Sequence, residues 1–254
     1  MTQQPESEEF YTELFTKSAD WSTTYPNAEE ARRAARILPL LSQVAEDHRA
    51  RVKRPLHILD LGCGRGWLTY MADMYGECLG VDPVKPVIDF AKTRYPHLSF
   101  RVGTAEDLLR DGDSSRFDVV IASEVIEHVA PEKHSSFVEA IRSLLRQGGA
   151  VIVSSDRGEL YQRWTRRGGT DQPVEAWLTE RQLQELFTRH GFRVIQHDRV
   201  NYDQPQLSFL HRIVASERVS HIVTRTRQQW LLEALRFLSA ECQVWLFRLR
   251  SDRS

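Results

Sequence analysis

Two rhythms of apolar and polar positions run along the chain. After Pro55, short apolar runs of strand length recur at Leu56–Leu61, Cys78–Val81, Leu98–Val102, Phe117–Ala122, Ala150–Ser154 and Phe192–Gln196. Between them, near residues 66–75, 84–95, 132–146 and 179–190, the apolar positions take helical spacing. Strands alternating with helices predict an α/β fold, a doubly wound and mostly parallel sheet with helices on both faces. Gly148-Gly149 and Gly191 fall just past two of the helices, where left-handed C-terminal caps belong.

Upstream, a helix is expected from Asn27 to about Arg51. Asn27 is a suitable cap, Glu29 and Glu30 suit the positive end, and Ile37, Leu38, Leu41 and Val44 form its apolar stripe. Pro39 inside it predicts a kink or a split. At the other end, residues 222–241 read as a helix. In Cys242–Leu249 apolar residues fill consecutive positions rather than one helical face, which predicts a final strand returning to the sheet after a helical insertion. The chain therefore divides into a helical N-terminal lid (1–54), a core (55–200), and the insertion with its last strand (201–254).

Composition narrows the class. The 254 residues carry 34 basic and 35 acidic side chains, a formal charge of -1. No global field attracts nucleic acid or an anionic membrane, so no nucleic-acid partner is expected. No apolar run approaches the ~20 residues of a membrane helix, and the start is polar and acidic, without the look of a secretory signal. Cys63, Cys78 and Cys242 make neither a disulfide framework nor paired metal-ligand spacing. These features place the chain in the cytoplasm, with room for a homodimer.

The most informative segment is His57-Ile-Leu-Asp-Leu-Gly-Cys-Gly-Arg-Gly-Trp67. A strand runs into Gly62-x-Gly64-x-Gly66 and a helix follows, the arrangement that lets a ligand approach backbone N–H groups. Asp82 ends the second strand, where a carboxylate can accept two hydrogen bonds from a ribose diol. The dinucleotide fingerprint wants a third glycine at position 67, and Trp67 stands there. The spacing Asp60-x-Gly-x-Gly-x-Gly resembles instead the first motif of class I S-adenosylmethionine-dependent methyltransferases. Val81-Asp82, Gly103–Leu108, Phe117–His128 and Leu145–Val153 follow in the order and spacing of that superfamily, from about residue 55 to 200.

The resemblance implies the superfamily's seven-stranded sheet with its last strand antiparallel. It implies S-adenosyl-L-methionine as cofactor and S-adenosyl-L-homocysteine as product. Asp60, Gly62, Cys63, Gly64 and Gly66 would line the methionine part. Asp82 and Pro83 would hold the ribose, and Thr104, Ala105 and Glu106 would lie beside the adenine. Ser123 and Glu124 would flank the departing methyl, with Trp21 and Tyr25 as the lid residues nearest the cofactor. His128, just past the fourth strand, is the candidate base, with Glu124 beside it and His134, Asp156 and Tyr161 in reserve. Arg157, Tyr161 and Trp164, with Arg163, Arg166 and Arg167, are candidates for the acceptor.

The run Glu124-Val-Ile-Glu-His128 is similar to that of small-RNA 3′-terminal 2′-O-methyltransferases, where such residues hold Mg²⁺, and to ubiquinone-pathway O-methyltransferases. Those families place a further histidine in the segment matching Gly169–Trp177, and this chain has none there. The expectation is no metal, with Glu124, Glu127 and His128 as the alternative ligand set. The functional expectation is O-methylation of a small molecule or glycan-linked sugar in a bacterial biosynthetic pathway. A metal-dependent RNA 2′-O-methyltransferase and a non-catalytic cofactor-binding subunit are the alternatives.

Overall fold

In the computed structural model, residues 5–160, 173–200, 216 and 229–250 are described. Helix α1 (Pro5–Lys17) precedes α2 (Ala28–Arg51). The alternating part runs β1 (His57–Leu61), α3 (Trp67–Asp73), β2 (Glu77–Asp82), α4 (Lys85–Arg94), β3 (Ser99–Val102), α5 (Ala105–Arg110) and β4 (Phe117–Ser123). A short turn of helix at Ile126–His128 leads to α6 (His134–Leu144) and β5 (Leu145–Asp156). Then come α7 (Glu180–Arg189), β6 (Phe192–Val200), α8 (Gln229–Ser239) and β7 (Cys242–Leu249).

The seven strands form one sheet in the order β3-β2-β1-β4-β5-β7-β6. Strands β1 to β5 are parallel, and β7 lies antiparallel between β5 and β6. The expected last strand therefore forms with the expected ends. Alternation along each strand sorts the core into two layers. Val120, Val151 and Phe247 pack with α6 and α7 through Ile141 and Phe187. Val119, Ile152 and Leu246 pack with α2 through Ile37 and Leu41. Each fully buried side chain of this kind contributes ~1.5–3 kcal/mol, so α2 is a structural part of the sheet's second face.

The structure corrects two local expectations. Helix α2 is not split at Pro39 but continues to Arg51. Pro39 and Ala35, whose carbonyl loses its N–H partner, both lie on the exposed face, where water takes the freed acceptor. Gly148-Gly149 do not cap α6, which ends directly in extended Leu145. Gly148 (φ 74°) sits within β5, where pairing with β4 shifts between Phe117 and Val119, so its conformational freedom serves an irregularity of the strand. Gly191 (φ 85°) does follow α7 as a cap. The short helix α5 has no counterpart among the expected elements. Of the expected helix at 222–241, the first seven residues lie outside the described ones, as does the insertion 201–228 apart from Ser216.

Helix α2 opens with a capping box in which Asn27 accepts from the Glu30 N–H and Glu30 accepts from the Asn27 N–H. Asn27→Ala should cost about 1 kcal/mol and lower the melting temperature by about 2–4 °C, measured by circular dichroism.

Candidate functional site

The loop between β1 and α3 is tied down from β2. The N–H groups of Gly62 and Cys63 donate to the Val81 carbonyl at 2.8 and 3.0 Å. Asp82, at the end of β2, accepts from the Gly64 N–H at 3.1 Å and from the Val84 N–H at 2.9 Å. Burial raises the Asp82 carboxyl to about 6, against those two hydrogen bonds, so it is ionised at neutral pH. Two of a carboxylate's roughly four acceptor positions remain for a ligand diol. A side chain at Gly64 (φ 50°) would come within 3.2 Å of the Phe15 ring, so the cradle is shaped for backbone alone. These features fit the ribose and methionine parts of the implied cofactor.

The other predicted cofactor residues divide. Asp60 is buried and its carboxylate accepts from Thr69 Oγ1 at 2.6 Å, fastening β1 to α3; burial raises it to about 7. Thr104 is the N-cap of α5 in a reciprocal box with Asp107, so its side chain is spent on the helix, while Ala105 is buried and Glu106 half-buried beside it. Cys63 is buried and Pro83 half-buried at the loop's flanks. Ser123 Oγ lies 2.9 Å from Ser154 Oγ, which donates to Glu124 at 2.7 Å.

The lid is built differently from expectation. Tyr25 is 80% exposed and offers only its carbonyl to the loop. From α1, Phe15 covers Gly64, and Tyr11 lies edge-on to His128 with ring centroids 5.7 Å apart; Trp21 stands behind Phe15 at 6.5 Å. The lid is anchored by Arg65, which has no exposed side-chain surface. Its guanidinium binds both Glu30 oxygens at 2.6 Å, the Thr23 carbonyl at 2.7 Å and the Tyr25 carbonyl at 3.3 Å. Arg94, the last residue of α4, and Tyr95 just past it hold the carbonyls of Ser22 and Thr24 at 2.8 and 2.7 Å.

Past β4 the chain turns sharply, with Glu124 in a left-handed conformation (φ 55°) that a residue with a side chain adopts only at a cost. His128 Nδ1 lies 3.2 Å from the Val174 carbonyl. A carbonyl only accepts, so Nδ1 carries the hydrogen and Nε2 keeps its lone pair. Burial depresses the imidazole's pKa, outweighing that hydrogen bond and the pull of Glu124. Glu127 is buried, and its carbonyl accepts from the Ala176 N–H at 2.8 Å. Burial, then Glu124 and Asp156, push its carboxyl well up.

The alternative metal set of Glu124, Glu127 and His128 does not gather. Among the described residues, the group with ligand atoms in reach of one another is Glu124, Asp156 and Cys242, within 4.8 Å. Arg33 stands 3.9 Å from Glu124 there. Arg157, expected at the acceptor, is instead buried and structural: it donates to the Ala240 carbonyl at 2.7 Å and pairs with Glu180 at 3.3 Å. His134 binds the Ile126 and Val129 carbonyls and steadies the turn. Tyr161, Arg163, Trp164, Arg166 and Arg167 lie outside the described residues. Arg33, Glu30 and Arg65 escaped sequence reading, because each looks like an ordinary helix or loop charge until its distant partner is known.

Residues 58–149 match the family model described as a methyltransferase domain. The ubiquinone biosynthesis O-methyltransferase of Azorhizobium caulinodans is 40% identical over 116 residues, 42% of this chain and 44% of that protein. That of Bartonella tribocorum is 29% identical over 165 residues, 58% of this chain and 64% of its own. The chain thus aligns with less than two thirds of either relative's length. Among solved structures, the N-methyltransferase NodS from Bradyrhizobium japonicum, in complex with S-adenosyl-L-homocysteine, superposes with a TM-score of 0.63 at 15% identity, covering 96% of this chain and 98% of its own. At that identity the likeness is one of fold. Among the described residues no helix is long and apolar enough to cross a membrane.

The buried pair gives a first test of the site. Removing one partner strands the other charge, so Arg65→Leu or Glu30→Gln should each cost about 3–5 kcal/mol in urea unfolding, and the double variant less than the sum.

Proposed function

The chain carries a class I S-adenosylmethionine-dependent methyltransferase domain, and on that premise we propose that it methylates a hydroxyl of a small-molecule or glycan-linked acceptor. The observation that carries the reading is Asp82, ionised and hydrogen-bonded to the glycine loop with acceptor positions to spare. When bound, S-adenosyl-L-methionine supplies an electrophilic methyl: a bond forms from the acceptor oxygen to that carbon, the carbon–sulfur bond breaks, and its electron pair stays on sulfur. Asp82 would hold the ribose hydroxyls and Gly62–Gly66 the methionine part. Ser123 and Glu124 would flank the methyl, and Phe15 and Tyr11 would exclude water above it. His128 Nε2, neutral and bearing a lone pair, would take the hydroxyl proton. The printed names of the curated relatives support oxygen as the methylated atom. The RNA reading has less support, because Glu124, Glu127 and His128 do not bring ligand atoms within 4.8 Å of one another.

Methyl-labelled cofactor incubated with a host extract, split into small-molecule, glycan-lipid and RNA fractions, tests the reading. Label should enter the first or second fraction; label confined to RNA would refute it. Asp82→Ala should weaken S-adenosylhomocysteine binding by about 100-fold or more in calorimetry, through the loss of charge-assisted hydrogen bonds.

The acid side of the pH profile separates two groups. His128 works unprotonated and its pKa is depressed, so the rate should hold at neutral pH and fall only below the ordinary imidazole value of about 6.5. Asp82 is ionised above about 6, so cofactor affinity should drop as pH falls through that value. His128→Gln should lower turnover by about 10²–10⁴-fold and leave the affinity limb in place; retention of full turnover would remove His128 as the base.

A further inference from the structure

The ends of β4, β5 and β7 concentrate acid beside the glycine loop. The carboxylates of Glu124 and Asp156 meet the Cys242 thiol within 4.8 Å, and both acids are half-buried. Glu127, three residues on from Glu124 and 2% exposed, feels the charges of both acids, and one of its carboxylate oxygens has no hydrogen-bond partner. Arg33, 4% exposed, stands 3.9 Å from Glu124, and its Nε also lacks a hydrogen bond. Its Nη1 is engaged by Glu29 at 2.5 Å, so this guanidinium already answers one carboxylate outside the group. Buried polar atoms without partners are rare in folded proteins, and here two of them belong to the surroundings of one acidic cluster. The left-handed Glu124 backbone at the same place is a second conformational expense concentrated on this spot.

We propose that Glu124, Asp156 and Glu127 seat a positively charged amino group of the methyl acceptor, which makes the acceptor an amine-bearing polar molecule. The proposal rests on the methyl-transfer reading above and narrows its substrate class. A protonated amine presents three hydrogens and no acceptor, the complement of three carboxylates. A hard divalent ion seeks six or more oxygens, whereas the atoms gathered within 4.8 Å are two carboxylates and a thiol. An anionic acceptor would meet like charge, and a neutral one would leave the excess acid uncompensated. The amine is held at the acids while a hydroxyl of the same molecule faces His128.

The test uses the full chain and methyl-labelled S-adenosylmethionine. A small-molecule extract is divided by strong cation exchange at neutral pH into retained and unretained pools, each with and without prior acetylation of its amines, and with and without EDTA. Label should enter the retained pool, disappear after acetylation, and ignore EDTA. Asp156→Asn should cut that transfer by at least about tenfold, the worth of one charge-assisted hydrogen bond, and hold S-adenosylhomocysteine affinity within about twofold. Label in the unretained pool, labelling that survives acetylation, or dependence on a metal would overturn the proposal. A matching fall in S-adenosylhomocysteine affinity would assign the acids to the cofactor and overturn it too.

A second measurement needs no turnover. With the site empty, Asp156→Asn relieves like-charge repulsion and should raise the melting temperature by about 2–4 °C, and Glu127→Gln should do the same if the first variant folds poorly. A lower melting temperature in both would mean that the cluster satisfies itself, and the ammonium seat would be abandoned. Absence of label from every pool, with S-adenosylhomocysteine still bound, counts against the methyl-transfer reading, while the melting shift still judges the seat.

Discussion

An arginine between two glycines of a surface loop would ordinarily reach for water. Arg65 turns inward, and a guanidinium without solvent must have a carboxylate at hand. Glu30 supplies it with both oxygens, and one of those oxygens also accepts from the Asn27 N–H. One carboxylate thus closes the first turn of α2 and neutralises the cofactor loop. The remaining donors of Arg65 need carbonyls, and the segment after α1 provides them at Thr23 and Tyr25. The chain entering α2 is therefore bound to the loop independently of any ligand. The aromatic residues of α1 inherit their place over Gly64 and His128 from that attachment.

A second constraint comes from topology. Because β7 runs antiparallel, its first residues arrive where the parallel strands end. Cys242 pairs with Asp156, and Val244 with Ser154. Ser154 in turn bridges Ser123 and Glu124 on β4. A parallel strand in this slot would present its other end, and the acidic cluster would lose Cys242. The backbone between Asp156 and Cys242 is closed further by the Arg157 N–H on the Glu241 carbonyl at 2.6 Å. The same continuation of β5 carries Arg157 out of the acceptor region and into pairing with Glu180.

The sheet was legible in the sequence because burial on both faces leaves continuous apolar runs, Cys242–Leu249 among them. The glycine loop and Asp82 were legible because their spacing is local. Pro39 does not split α2 because a breaker's effect depends on which face it occupies, and that face is set by packing. Gly148-Gly149 misled because a left-handed glycine suits a strand irregularity as well as a helix end. The charges around the site were opaque for a different reason. Glu30 and Arg65 are 35 positions apart, and Arg33 and Glu124 farther still; no periodicity links such pairs. Tyr11 and Phe15 stood in an aromatic segment whose attachment point, Arg65, was itself unread.

The protonation of His128 ties these constraints together. Glu124 favours the imidazolium, and water would strengthen that form by solvating it. Burial works the other way and prevails. Part of that burial comes from Tyr11, held edge-on to the ring by α1, and part from the 174–176 segment lying on Glu127 and His128. The lid's contribution to chemistry is thus electrostatic as well as steric. By excluding solvent it keeps a basic nitrogen free against the pull of the Glu124 carboxylate, which favours the protonated form. On the proposed hydroxyl transfer a base beside buried acids needs that exclusion, and the Arg65–Glu30 pair, with Arg94 and Tyr95, fastens the segment that follows the excluding helix.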